Sequence, residues 1–275
     1  MHGEAWWYVF GLSFVVTALI ETFWPFRLLP SSARRRWTSN AILQAASVVV
    51  TAAAFQLTGI ALAIAIHATR RGLLNWIAIP FPVAFAVGFA ALDLTNYTSH
   101  RFFHSVGLLW RVHKVHHSET DLDLTTGFRF HPLEGLLSQG CQLAVIALLG
   151  TPPSAVVLAS MAIVVQDFFT HANLRLPETA DRLLRWLVVT PAMHRIHHSE
   201  RVEEQNGNFG TIFSFWDRLF GTYVPSLAAD EARARWGLAD VAEGSNLNAA
   251  RLLVLPFRPV GAGSASDASR VTSNS

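Results

Sequence analysis

Long apolar runs dominate the first two thirds of the chain, and their lengths match a bilayer better than a soluble core. A helix needs roughly 20 residues to cross about 30 Å of hydrocarbon. The first run, Ala5 to Phe23 in "AWWYVFGLSFVVTALIETF", carries Trp6, Trp7 and Trp24 near its ends, as an interfacial aromatic belt does. No basic segment precedes it and no small-x-small site closes it, so a membrane helix is expected over a cleaved leader. The second run, Ile42 to Ile66, holds no charge, and the third, Trp76 to Leu94, contains Pro80 and Pro82. A fourth run, Leu136 to Val165, is interrupted by Gly150-Thr151-Pro152-Pro153. Its halves of about 12 to 14 residues are short for a straight crossing, which predicts a membrane hairpin over 136–166 returning to one side. The pattern thus predicts an all-α integral membrane protein with about four or five transmembrane or hairpin helices.

Composition agrees. The 275 residues are 51% hydrophobic and only 15% charged, against roughly 25% charged in average soluble domains. Mean hydropathy is +0.33. A formal net charge of +2 does not point to nucleic acid. The one cysteine, Cys141, excludes an internal disulfide, a cysteine-ligated iron–sulfur cluster and a four-cysteine zinc site. Arg34-Arg35-Arg36, read as a loop after the first helix, is placed in the cytoplasm by the positive-inside rule. The segment from His100 to Glu134 and everything after His171 then fall on that same side. Arg70-Arg71, in the loop assigned outside, fits this poorly unless the second run is itself a hairpin. Beyond Pro225 the chain is polar and Ala-rich, and its end, "GAGSASDASRVTSNS", is predicted to be disordered.

Candidate chemistry lies in the polar segments. Ten of the 12 histidines fall between residues 100 and 198. His100 and His104 are spaced i, i+4, which puts both rings on one helix face. His113, His116 and His117 form H-x-x-H-H, and His194, His197 and His198 repeat it. His131 and His171 stand alone. Crowded imidazoles repel when protonated, and a bound cation keeps them neutral and satisfies their lone pairs. Ten exceed the coordination sphere of one ion, so two metals are expected. Nitrogen donors suit Zn, Fe, Cu and Ni. H-E-x-x-H is absent, which leaves a zincin protease unsupported, and Glu-x-x-His is absent, which leaves a ferritin-like carboxylate site unsupported.

The stretches "DLTNYTSHRFFH", "LWRVHKVHHSE", "FRFHPLE", "QDFFTHANL", "TPAMHRIHHSE" and "NGNFGTIFSFWDRLFGTY" resemble the fatty acid hydroxylase/sterol desaturase superfamily of membrane non-haem di-iron oxygenases. The resemblance implies transmembrane helices over 1–92, a catalytic domain over 93–225 with a cytosolic helical cap, and an extension over 226–275. It implies hydroxylation or desaturation of a lipid C–H bond with O2, and two iron ions, for which zinc is a possible substitute. All ten clustered histidines are implied ligands: His100, His104, His113, His116, His117, His131, His171, His194, His197 and His198. Asp93, Asp167 and Glu134 are candidate acceptors for imidazole N–H groups, with an ion pair to Arg129 as the alternative for Glu134, and Asn208 is a candidate either for approach to the metals or for a turn. The chain has no G-x-G-x-x-G motif and no fused His-Pro-Gly-Gly segment. Electrons are therefore expected from an external ferredoxin-, cytochrome b5- or reductase-type donor, for which Arg101, Arg111, Lys114 and Arg195 are candidate docking residues, with lipid headgroups as their alternative partner. The expected location is the cytoplasmic (inner) membrane, with lipid as substrate and no nucleic acid as partner. The rival enzyme class is a histidine-ligated di-zinc hydrolase acting on membrane lipids; a metal or haem transporter is a third reading.

Overall fold

The computed structural model describes residues 2–29, 33–55, 58–228, 234–241 and 247–258. Its helices, in chain order, are α1 (His2–Phe23), α2 (Ala33–Phe55), α3 (Gly59–Ala68), α4 (Leu73–Trp76), α5 (Phe81–Ser105), α6 (Gly107–His117), α7 (Pro132–Leu149), α8 (Pro153–His171), α9 (Glu178–Leu184), α10 (Pro191–His197), α11 (Val202–Gln205), α12 (Phe215–Leu219) and α13 (Ala249–Val254). No strand forms among the described residues, where pairing is limited to isolated bridges. Proline and glycine set many boundaries. Pro132, Pro153 and Pro191 open their helices, where a missing N–H costs nothing. Gly150 closes α7 in the left-handed conformation at φ 70°.

Among the described residues, four stretches are long and apolar enough to cross a membrane: Ala5–Phe23, Ala33–Trp76, Pro132–Leu149 and Pro153–His171. None of the apolar window of α1 is buried inside the protein. Leu12, Val49, Ile64, Val83 and Leu148 are likewise exposed on the bundle's outside, which lipid must cover. The chain is an integral membrane protein.

Three of the predicted apolar runs differ in extent from the helices that form. The hairpin is longer than 136–166: α7 has 18 residues and α8 has 19, or about 27 to 29 Å at 1.5 Å per residue, so each arm can cross. The run from Ile42 to Ile66 is two helices, and the 10 residues of α3 reach only about 15 Å. After Trp76, the last residue of α4, the third run is not helical again until Phe81.

The α7–α8 hairpin is the centre of the bundle. α1 packs on α8, α2 on α7, and α3 and α5 on both. Ala63, Leu92, Ile146, Val156 and Ala159 form the core between them. At one end the 70–72 loop meets the hairpin turn. A Cβ on Gly72, at φ 90°, would lie 2.3 Å from the Gly150 nitrogen. Asn75 Nδ2 closes this contact by donating to the Arg71 and Gly150 carbonyls. Arg70 and Arg71 therefore sit at the end of the hairpin opposite to His171.

At the other end the helices emerge into the cap. The triple arginine lies within α2 and is not a loop. Arg34 and Arg35 are exposed, whereas Arg36 is buried. Arg36 pairs with Asp123, which also accepts from Trp37 Nε1 at 2.8 Å. Arg129, fully buried, donates to the Val115 carbonyl, Asn40, Ser118 and Glu119. This arginine–carboxylate network ties α2 to the end of α6. The C-terminal extension also joins the cap: Leu247, Leu252 and Leu255 pack with Leu43 and Val115, and Arg111 donates to the Pro256 carbonyl at 2.8 Å. The predicted disorder of the terminal Gly/Ser/Ala-rich stretch lies outside the described residues.

Candidate metal centre

Helical spacing sorts the two H-x-x-H-H segments. Residues i and i+4 share a face, while i+3 lies to one side of it. In α6, His113 and His117 point one way and His116 the other. In and just after α10, His194 and His198 point one way and His197 the other. The result is two groups of imidazoles whose ligand atoms lie within 4.8 Å of one another: His100, His104, His113, His117 and His197; and His116, His171, His194 and His198. Each H-x-x-H-H copy thus supplies two rings to one group and one ring to its neighbour, in opposite senses. α5 completes the first group with His100 and His104, and α8 completes the second with His171. The groups adjoin, with the His117 and His198 rings stacked at 4.5 Å between centroids.

The rings are aimed by their outer nitrogens. His113 Nδ1 donates to Glu134 Oε1 at 2.7 Å. His100 Nδ1 donates to the Phe209 carbonyl at 2.9 Å, and His197 Nδ1 to the Gly207 carbonyl at 2.8 Å. The Nε2 atoms of all three are buried with no partner. An N–H held on one side and a bare lone pair on the other is the arrangement metal-ligating histidines take. In the second group the Nε2 atoms face each other: His194 to His171 at 2.9 Å, His198 to His194 at 3.1 Å, and His171 to His116 at 3.2 Å. Two ligands about 2.0–2.1 Å from one ion, at right to tetrahedral angles, stand about 2.9–3.4 Å apart. The donor set therefore fits a metal in each group.

Electrostatics point the same way. Burial is the first cause lowering the pKa of His100, His104, His116, His117, His194, His197 and His198, and repulsion from neighbouring imidazoles adds to it. Neutral imidazole is the form that binds a cation.

The remaining sequence candidates fall elsewhere or in different roles. His131 is not brought to either group. Its Nδ1 accepts from the Leu133 N–H at 3.1 Å as the N-cap of α7, and its Nε2 donates to the Leu253 carbonyl at 3.2 Å. Asp93 accepts no imidazole proton; it takes the Ile212 and Phe213 N–H groups and Trp216 Nε1. Glu134 serves His113, neither His131 nor Arg129. Asp167 is beside His171, whose Nδ1 lies 2.8 Å from the Asp167 carbonyl and 3.2 Å from Oδ1. Asn208, at φ 57°, bonds Met193 and Val224 and so clasps the loop. Of the basic docking candidates, Lys114 and Arg195 are buried, Arg111 holds the C-terminal extension, and Arg101 is exposed.

Sequence reasoning missed the backbone. The carbonyls of Gly207 and Phe209 orient one histidine each, and Asp217 fixes the loop that carries them by accepting from the Phe209 and Gly210 N–H groups at 2.7 and 3.0 Å. Burial pushes Asp217 up to about 6, opposed by these hydrogen bonds and that of Thr222. The "NGNFG" stretch was a signal for this, since it combines a left-handed Asn with two glycines.

A cavity of about 190 Å³ opens between the two groups, walled by His100 and His113 from one and His116, His171 and His194 from the other. Asn96, Ser138 and Ile163 also line it, so it extends one to two helical turns from the histidines into the bundle.

A sequence model of the fatty acid hydroxylase family matches residues 85–222, and the chain belongs to that family. Among curated proteins it is similar to alkylglycerol monooxygenase of Xenopus tropicalis, at 30% identity over 139 residues, covering 50% of this chain and 30% of that one. It is 31% identical over 145 residues to ornithine lipid hydroxylase OlsE of Rhizobium tropici, covering 52% and 43%. It is 31% identical over 144 residues to very-long-chain aldehyde decarbonylase GL1-9 of Oryza sativa subsp. indica, covering 51% and 54%. The match thus spans about a third to a half of the length of these relatives. No solved structure matches the chain.

Proposed function

We propose that the protein is a membrane-bound, non-haem di-iron oxygenase that uses O2 and externally supplied electrons to hydroxylate or desaturate a lipid. The observation that carries the reading is the cavity shared by two adjoining all-imidazole groups at the end of a membrane bundle. Iron bound there would supply the O2 activation and hydrogen abstraction that an unactivated C–H bond requires. The nine clustered histidines are the proposed ligands. Phe209, Gly207 and Glu134 hold the Nδ1 protons of His100, His197 and His113, so that each Nε2 lone pair is presented in one direction. Near-complete burial of His113, His116, His117, His197 and His198 keeps water from the reacting centre. The cavity's extension into the bundle lets a lipid reach the histidines from the bilayer.

The electron donor is external, of the ferredoxin, cytochrome b5 or reductase type. The histidine end faces the cytoplasm, supported by exposed Arg34 and Arg35 at the same end.

The test has two parts. Purified protein is assayed for metal and for O2 consumption with lipid and reductant; about two irons per chain and O2 uptake are expected. Zinc alone, with no O2 consumed, would replace this reading with the di-zinc hydrolase. Lipid profiles of cells with and without the protein, with His197→Ala as control, should show a species shifted by one oxygen or two hydrogens.

A further inference from the structure

Two polar ladders lead from the metal centre into the bundle. On α7, Glu134, Ser138 and Gln142 follow one another at i, i+4 and i+8, on one helix face. On α5, Asn96 stands four residues before His100, about 6 Å closer to the membrane interior. The ladders meet where Gln142 Nε2 donates to Asn96 Oδ1 at 2.6 Å and to the Leu92 carbonyl at 2.9 Å. A backbone carbonyl only accepts, so Leu92 fixes the Gln142 NH2 toward α5. Asn96 must then turn its oxygen to Gln142 and its NH2 away. That NH2 is buried and meets no acceptor, and Asn96 lines the cavity shared by both histidine groups. Higher in the cavity Glu134, 5% exposed, spends Oε1 on His113 and leaves Oε2 unpartnered.

Polar side chains within membrane helices are expensive and are kept where they do something. A plain hydrocarbon chain would leave the Asn96 donor unpaired, at a real cost. We propose that this ladder selects lipids with a hydrogen-bond acceptor, such as an ether, ester or amide oxygen, a few bonds from the oxidised carbon. Asn96 is the specificity-determining donor. The oxidised position is then set by distance from a polar linkage, and not by counting from the chain's methyl end. The inference rests on the lipid-oxidising reading for its meaning, but the recognition can be measured without turnover.

The experiment uses the full chain in detergent, loaded with metal, and three labelled lipids of matched length: hexadecyl methyl ether, N-methylhexadecanamide and octadecane. Binding is read by equilibrium partition. The ether and amide should bind roughly five- to tenfold tighter than octadecane, the worth of one hydrogen bond. Asn96→Leu should erase that preference while metal content stays at the wild-type level. Equal binding of all three lipids by the wild type would overturn the proposal, whatever the fate of the variant. So would an Asn96→Leu protein with normal metal and an intact preference. A preference for the acceptor-bearing lipids in a protein that consumes no O2 would sustain this inference and sink the oxygenase reading, so the two fail separately.

Discussion

His116 and His117 are neighbours in sequence but belong to different histidine groups, and this can be tested by removing them singly and in pairs. A four-ligand structural zinc site is worth about 10–16 kcal/mol, or about 2.5–4 kcal/mol per ligand. Losing one ligand should then weaken an ion by roughly a hundred- to a thousandfold. His116→Ala leaves three imidazoles in its group, whereas His117→Ala leaves four in its own. His116→Ala should therefore purify with about one metal per chain, and His117→Ala should retain more. Pairs are more telling, because losses within one group do not add while losses across groups do. His116→Ala with His194→Ala should still hold about one ion; His116→Ala with His117→Ala should hold fewer. Metal is counted by mass spectrometry after challenge with a graded chelator series. If the adjacent pair keeps as much metal as His116→Ala alone, or the His116/His194 pair loses both ions, the partition is wrong.

Other outcomes follow from the same geometry. Seven histidines have folded pKa values below the ordinary value of about 6.5. The unfolded chain thus binds more protons below that pH, so stability of the metal-free protein is full above about 6.5 and is lost as pH falls, by up to about 1.4 kcal/mol per pH unit for each histidine; a melting temperature flat across this range would refute it. Glu134→Gln puts the His113 tautomer in doubt and should weaken metal binding about 10- to 100-fold in chelator titrations, with helicity by circular dichroism unchanged. Gly72→Ala should sharply reduce the yield of folded protein, because its Cβ would meet the Gly150 nitrogen at 2.3 Å and φ is 90°, whereas Gly11→Ala meets open space and should express normally.

Much of the frame was legible in advance. Run lengths read against bilayer thickness give a helical membrane bundle, and Gly150 followed by Pro152 and Pro153 marks the hairpin. Polarity hides the hairpin's outer ends: Pro132, Glu134, Asp167 and His171 look like loop residues, though all lie in helix. Arg36 departs from its local pattern for the opposite reason. Its charge suggested a surface loop, but carboxylates 83 and more residues away bury it, and such partners leave no local trace. The C-terminal extension looked merely polar; its few leucines find Leu43 and Val115 only after the chain has folded back.

By itself the sequence determined that ten imidazoles are concentrated between residues 100 and 198, and that i, i+4 spacing pairs His100 with His104, His113 with His117 and His194 with His198. Those relations follow from 3.6 residues per turn and need no partner. Only the tertiary structure decided that His116 and His197 cross to the other group, and that His131 caps α7 outside both groups. It alone made Asp93 a clasp for the 212–216 segment and backbone carbonyls the guides for His100 and His197. Each of these depends on which distant element a side chain meets. Helical periodicity sets where a ring points, but the fold sets what lies there.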